Sequence, residues 1–103
     1  MKNLPELTEG VQRVMKQYGE EFPEVRVDRD YFPLKLAEEW GECLKVYLML
    51  TDRGRQKGQS KTEMTESFRE ELADVFGFLL LFAANEHIDL EEALEKKWFA
   101  RLP

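Results

Sequence analysis

The chain contains one cysteine, Cys43, and one histidine, His87. A lone thiol closes no intrachain disulfide, and with no second cysteine or neighbouring histidine it forms neither a zinc site nor an activated nucleophile. Cys43 therefore reads as a packed small hydrophobe, and His87, at a helix end, as a C-terminal cap. Long apolar runs are also missing. The longest, Val75 to Ala84, spans ten residues and includes Gly77, half of the ~20 needed to cross a bilayer. A membrane is thus not an expected partner. The opening MKNLPELTEG has no apolar core of the secretory type, so a cytoplasmic location is expected. Cations are the minority, 15 against 21 acids, giving a net charge of −6 and a pI near 4.9. A nucleic-acid polymer would be repelled on average, whereas a small anion held through a metal ion is compatible with this balance.

What is present suits one folded helical domain spanning residues 1–103. Hydrophobic residues make up 43% and charged residues 35%, enough apolar material for a core and too much for a disordered acidic tail. No period-two alternation competes with the helical spacing. Val11, Val14, Met15, Tyr18 and Phe22 mark an amphipathic helix from about Leu4 to Glu21, with Pro5 just inside its start and Gly19 and Pro23 at its end. A second helix, capped by Asp30 and tolerating Pro33 in its first turn, runs to about Leu50. The tract TDRGRQKGQSK reads as a loop. Ser60 and Glu63 have capping-box spacing, with Thr62 as an alternative cap, and open a third helix to about Asn85. Asp89 and Glu92 open a short fourth through Ala93, Leu94 and Trp98. An all-α, four-helix bundle-like fold is predicted, with the second and third helices antiparallel.

Two acidic clusters stand out in this pattern, Glu38-Glu39-x-x-Glu42 and Glu71-x-x-Asp74. Residues three apart on a helix share a face, and one heptad onward these faces continue into Val46 and Met49, and into Phe78 and Leu81. Acids set into apolar stripes lose hydration at a cost of several kcal/mol per ion and repel one another unless a hard cation collects them. Oxygen-only ligands suit Mg²⁺, with Mn²⁺ as the alternative. A carboxylate-bridged di-iron bundle would require Glu-x-x-His, but the residue three before His87 is Ala84.

The segments KLAEEWGE, EELADVFGFLLLFA and HIDLEEALEKKWFARLP, covering roughly Tyr31 to Pro103, resemble the MazG-type nucleotide pyrophosphohydrolases. That all-α superfamily also contains phosphoribosyl-ATP pyrophosphohydrolase and dimeric dUTPases. The EExxE and ExxD pair, with 28 residues between Glu42 and Glu71, resembles its metal-binding signature. The resemblance implies that Glu39, Glu42, Glu71 and Asp74 bind Mg²⁺, with Glu38 a nearby ligand or, with Glu39, a catalytic residue that orients or deprotonates a water. It implies cleavage of a nucleoside triphosphate or related nucleotide between the α and β phosphates, releasing the monophosphate and pyrophosphate. In many relatives the last helix supplies a lysine and an asparagine near the phosphates. Lys97 matches the lysine, while WFAR stands where the asparagine is found, leaving Arg101 as a further cation.

Such chemistry needs cations for the leaving pyrophosphate as well as metal. Arg53, Arg55 and Lys57 beside Gly54 and Gly58 either close over phosphates or solubilise a loop; Lys35 either contacts a phosphate or pairs with a metal-site acid. A non-catalytic nucleotide-sensing or interaction module on the same scaffold is the competing reading, favoured by the absent asparagine. Trp40, Leu44, Tyr47, Leu48, Phe76, Leu79, Leu80 and Phe82 flank the acidic stripe. One small chain can hardly cover them all, so a homodimer or dimer of dimers is expected to complete the bundle.

Overall fold

Local chemistry at each helix end sets the element boundaries in the computed structural model, which describes all 103 residues. Helix α1 spans Leu4–Glu21, α2 Tyr31–Leu50, α3 Lys61–Asn85 and α4 Leu90–Lys97, followed by a short 3-10 turn at Phe99–Arg101; there are no strands. Asn3 caps α1 by accepting from the Glu6 N–H at 2.9 Å. The capping box at α3 is complete, with the Glu63 N–H donating to Ser60 Oγ at 3.1 Å and the Ser60 N–H donating to Glu63 Oε1 at 2.9 Å, so Ser60 and not Thr62 is the cap. At α4 only half of the motif forms. Asp89 accepts from the Glu92 N–H, but the Glu92 carboxylate turns to Lys96 at 2.6 Å.

One expected cap differs. Asp30 has helical backbone angles and makes no side-chain cap bond; Asp28 Oδ1 instead accepts from the Tyr31 N–H at 3.1 Å. The connector between α1 and α2 is then pinned by a two-pronged pair, Arg29 Nε and Nη2 to both oxygens of Glu86 at 3.0 and 2.7 Å.

Helices α2 and α3 end alike. Past α3, the Ile88 N–H reaches the Ala83 carbonyl at 2.9 Å and the His87 N–H reaches Ala84 at 3.1 Å, while His87 takes the left-handed conformation at φ 58°. Asp52, at φ 61°, does the same after α2, with the Arg53 N–H on Leu48 and the Asp52 N–H on Met49. This double-bonded helix end is usually built on glycine, because a Cβ strains the left-handed region. His87 thus caps through its backbone. Replacing it with Gly is expected to raise stability by about 0.5–1 kcal/mol, read as a higher urea midpoint at unchanged slope.

Helices α2 and α3 form the central antiparallel pair: Tyr31 meets Phe78 near one end, with ring centroids 6.3 Å apart, and Tyr47 meets Phe68 near the other at 5.8 Å. Helix α1 lies against α3. Gly77 lies at this contact, where a Cβ would come 3.7 Å from Val11 Cγ1. Helix α4 packs chiefly on the 3-10 turn that follows it, and none of its residues is buried.

The core is small, consisting of Cys43, Met49, Met64, Leu80, Leu81 and Ala83. A compact monomer of 12.2 kDa would expose about 6,100 Å², yet this chain exposes 8239 Å². Its radius of gyration is 16.4 Å, against roughly 13 Å for a compact domain of this length. Much of the excess is apolar: Trp40, Leu44, Tyr47, Leu48, Leu72, Phe76 and Leu79 are all exposed along α2 and α3, and Trp98 is 66% exposed. No helix is long and apolar enough to cross a membrane.

Candidate metal centre

The antiparallel pairing of α2 and α3 brings Glu39 opposite Glu71 and Asp74. One carboxylate oxygen from each lies within 4.8 Å of the others, close enough that small side-chain movements would bring all three onto one cation. Glu39 and Glu71 are half-buried and Asp74 is exposed. Just beneath them, Cys43 is 1% exposed; burial, and then the charge of Glu71, push its thiol pKa up. Phe78 and Leu81 continue the stripe below Glu71 and Asp74 into the interior, Leu81 buried and Phe78 half-buried.

Crowding of like charge shows in the ionisation of Glu71. Desolvation foremost, then the charges of Asp74, Glu39 and Glu42, raise its pKa above the ordinary glutamate value of 4.5. Glu42 is exposed and outside the close group of three, though its field reaches Glu71. The donor set fits a hard divalent ion: all ligand atoms are carboxylate oxygens, and the ion's charge would remove the repulsion that now opposes ionisation of Glu71. Glu39, Glu71 and Asp74 would hold such an ion.

A pH dependence follows. Because folding raises the Glu71 pKa, its protonated form favours the folded state; that contribution is complete below the unfolded value and lost as pH rises through the folded one. Glu63 and Glu86 act oppositely. Bonds from Ser60 and from Arg29 hold their pKa values below 4.5, so their contribution disappears only at still lower pH. Metal-free protein is therefore expected to melt at rising temperature as pH falls from neutral toward about 4.5, then at falling temperature below it. Saturating Mg²⁺ should abolish the upper limb, which calorimetric scans with and without the ion would read.

Of the six cations singled out in the sequence, the fold brings one to this centre. Lys35 Nζ lies 2.5 Å from Glu38 and 3.4 Å from Glu39 and 5.7 Å from the centroid of the Phe78 ring. Lys35 thus pairs with two of the clustered acids, and its pKa is raised, chiefly by the bond to Glu38. Glu38 itself is exposed and committed to Lys35. Arg53, Arg55 and Lys57 belong to the exposed loop beyond α2, eleven or more residues past Glu42, whose helix runs on to Leu50, about 12 Å along its axis. Arg53 there bonds the Thr51 carbonyl. Lys97 and Arg101 lie on the exposed arm formed by α4 and the 3-10 turn.

An open cavity of about 350 Å³ adjoins the acids, and most of its walls were not singled out in the sequence as site residues. Helix α1 contributes Val11, Val14, Met15 and Tyr18. Helix α2 adds Tyr31, Lys35 and Glu39, and α3 adds Ala73, Asp74, Gly77, Phe78 and Leu81. Glu39 and Asp74 therefore belong to both cavity and cation site. The one sequence signal was i, i+4 spacing on a helix, since Tyr31 lies one turn before Lys35 and Phe78 one turn after Asp74; the α1 wall required the packing of α1 on α3. Comparison with protein-family models, curated proteins and solved structures gave no match to this chain.

Proposed function

We propose that the protein is a Mg²⁺-dependent nucleotide pyrophosphohydrolase of MazG-like type, cleaving a nucleoside triphosphate or related nucleotide between the α and β phosphates. The observation that carries this reading is the convergence of Glu39, Glu71 and Asp74 from two helices beside a ligand-sized cavity. A bound Mg²⁺ would neutralise phosphate oxygens and lower the pKa of a bound water. Glu39, Glu71 and Asp74 would hold the ion, with Glu42 a turn away. Lys35 lines the cavity at the same edge and would meet phosphate charge if it let go of Glu38. A screen for pyrophosphate release over ribo- and deoxynucleoside triphosphates and phosphoribosyl-ATP, with Mg²⁺ and with Mn²⁺, tests the reading; release from no nucleotide would overturn it.

One observation favours the alternative of a nucleotide-sensing module without catalysis: five of the six candidate phosphate-binding cations lie away from the cavity lining. Tight nucleotide binding by calorimetry without pyrophosphate release would decide for it.

The working form is proposed to be a cytoplasmic homodimer or dimer of dimers. Its support is the excess of exposed surface, roughly 2,000 Å² over a compact monomer, on the scale that permanent homodimers bury. Sedimentation at micromolar concentration is expected to give at least a dimer, and a Leu72→Glu, Phe76→Glu double variant on the exposed face of α3 to shift it toward monomer.

A further inference from the structure

The cavity beside the acids has an unusual lining for a site that would receive a nucleotide. It contains no Asn, Gln, Ser, Thr, His or Arg side chain. Backbone groups are equally unavailable, since the lining residues all lie within α1, α2 and α3, where N–H and C=O groups bond along the helix. The polar atoms left are the Tyr18 and Tyr31 hydroxyls, the Lys35 amine held by Glu38 and Glu39, and the two carboxylates of the cation site. Bases differ most in the donor and acceptor pattern of their edges, and reading that pattern requires a matching set on the protein. Here the walls offer ring faces and methyl groups.

We propose that this cavity is a base subsite that recognises its ligand through apolar contact, ranking bases by added methyl groups and by how few polar edge groups they carry, so that 5-methylpyrimidine nucleotides are preferred. The proposal rests on the nucleotide reading of the adjoining acidic centre, and the occupant is the base of the same substrate. Its volume, at the lower end for small-molecule sites, suits a single-ring base with an attached sugar. An edge group that enters without a partner loses its hydration, which disfavours guanine most. A buried methyl is worth about 0.8 kcal/mol, or roughly fourfold. With no hydrogen-bonding set to enforce rejection, discrimination among bases stays within about a hundredfold.

Two measurements test it. In pyrophosphate release with Mg²⁺, kcat/KM for dTTP is expected to exceed that for dUTP, and for 5-methyl-dCTP that for dCTP, each by about fourfold. Phe78→Ala, which removes an apolar wall, should bring both ratios close to one. The second needs neither metal nor turnover: thymidine and deoxyuridine are titrated while the ring resonances of Tyr18, Tyr31 and Phe78 are followed by NMR, with thymidine expected to bind about fourfold more tightly. Turnover of dUTP equal to or faster than dTTP would overturn the subsite while leaving the hydrolase standing. If no nucleotide is hydrolysed, the hydrolase reading fails and the titration alone decides. Thymidine preferred at those rings supports the subsite, and no shift at them, or no preference, overturns it.

Discussion

Glu71→Gln is expected to make the protein more stable and its chemistry at least a hundredfold slower. Glu71 is the group whose ionisation the fold opposes, by burial first and by Asp74, Glu39 and Glu42 next. Glutamine keeps the shape and removes the charge, relieving like-charge contacts each worth a few tenths of a kcal/mol on exposed helices. A gain on the order of 0.5–1 kcal/mol, or roughly 2–8 °C in melting temperature, should appear in metal-free protein. The upper limb of its pH profile should flatten as well. An amide is a poor ligand for a hard cation, so Mg²⁺ should no longer stabilise the variant, and pyrophosphate release should fall by about a hundredfold or more. Asp74→Asn should lose activity similarly with a smaller stability gain, because Asp74 is the exposed member of the three. Opposed signs of this kind would mark a functional site, where stability is given up for chemistry. Purely structural acids would lose or gain stability with no metal response to lose.

Leu80→Ala should come close to unfolding the chain. Leu80 is 2% exposed, and truncation of such a residue removes about 2–5 kcal/mol through lost burial and the cavity left behind. In an ordinary domain of this length that would be a fraction of 5–15 kcal/mol. Only six residues are buried here, so the remaining core cannot compensate well. The variant should lose cooperative melting as a monomer and recover part of it with rising protein concentration, because self-association stabilises the folded form by mass action. Leu79→Ala, one position round α3 and 37% exposed, makes the contrast. It should cost little as a monomer and act mainly on the sedimentation coefficient.

Why some features were readable in the sequence and others were not is visible in particular residues. The ends of α1, α2 and α3 depend on chemistry within a few residues: Asn3 reaching Glu6, Ser60 reaching Glu63, a backbone-bonded turn after Asn85. Asp30 failed as a cap because it takes helical backbone angles itself, and Asp28, two residues earlier, reaches the helix start instead. The acids were legible as pairs on one face, since i and i+3 register is a property of any helix. Their meeting across two helices needed the antiparallel packing, and so did the exclusion of Glu42 from the closest group. The distant cations are a harder case. Arg53, Arg55, Lys57, Lys97 and Arg101 carry the right charge, but charge says nothing of distance.

By itself, the sequence determined four helices, the caps of all but α2 and which acids share a face, because these follow from hydrogen bonds and side-chain spacing within a turn or two. Tertiary structure alone decided that Glu39 stands within reach of Glu71 and Asp74, and that Tyr18, Tyr31 and Phe78 line one cavity. Those relations join residues on different helices, where packing of whole helices, and no local rule, sets the distance.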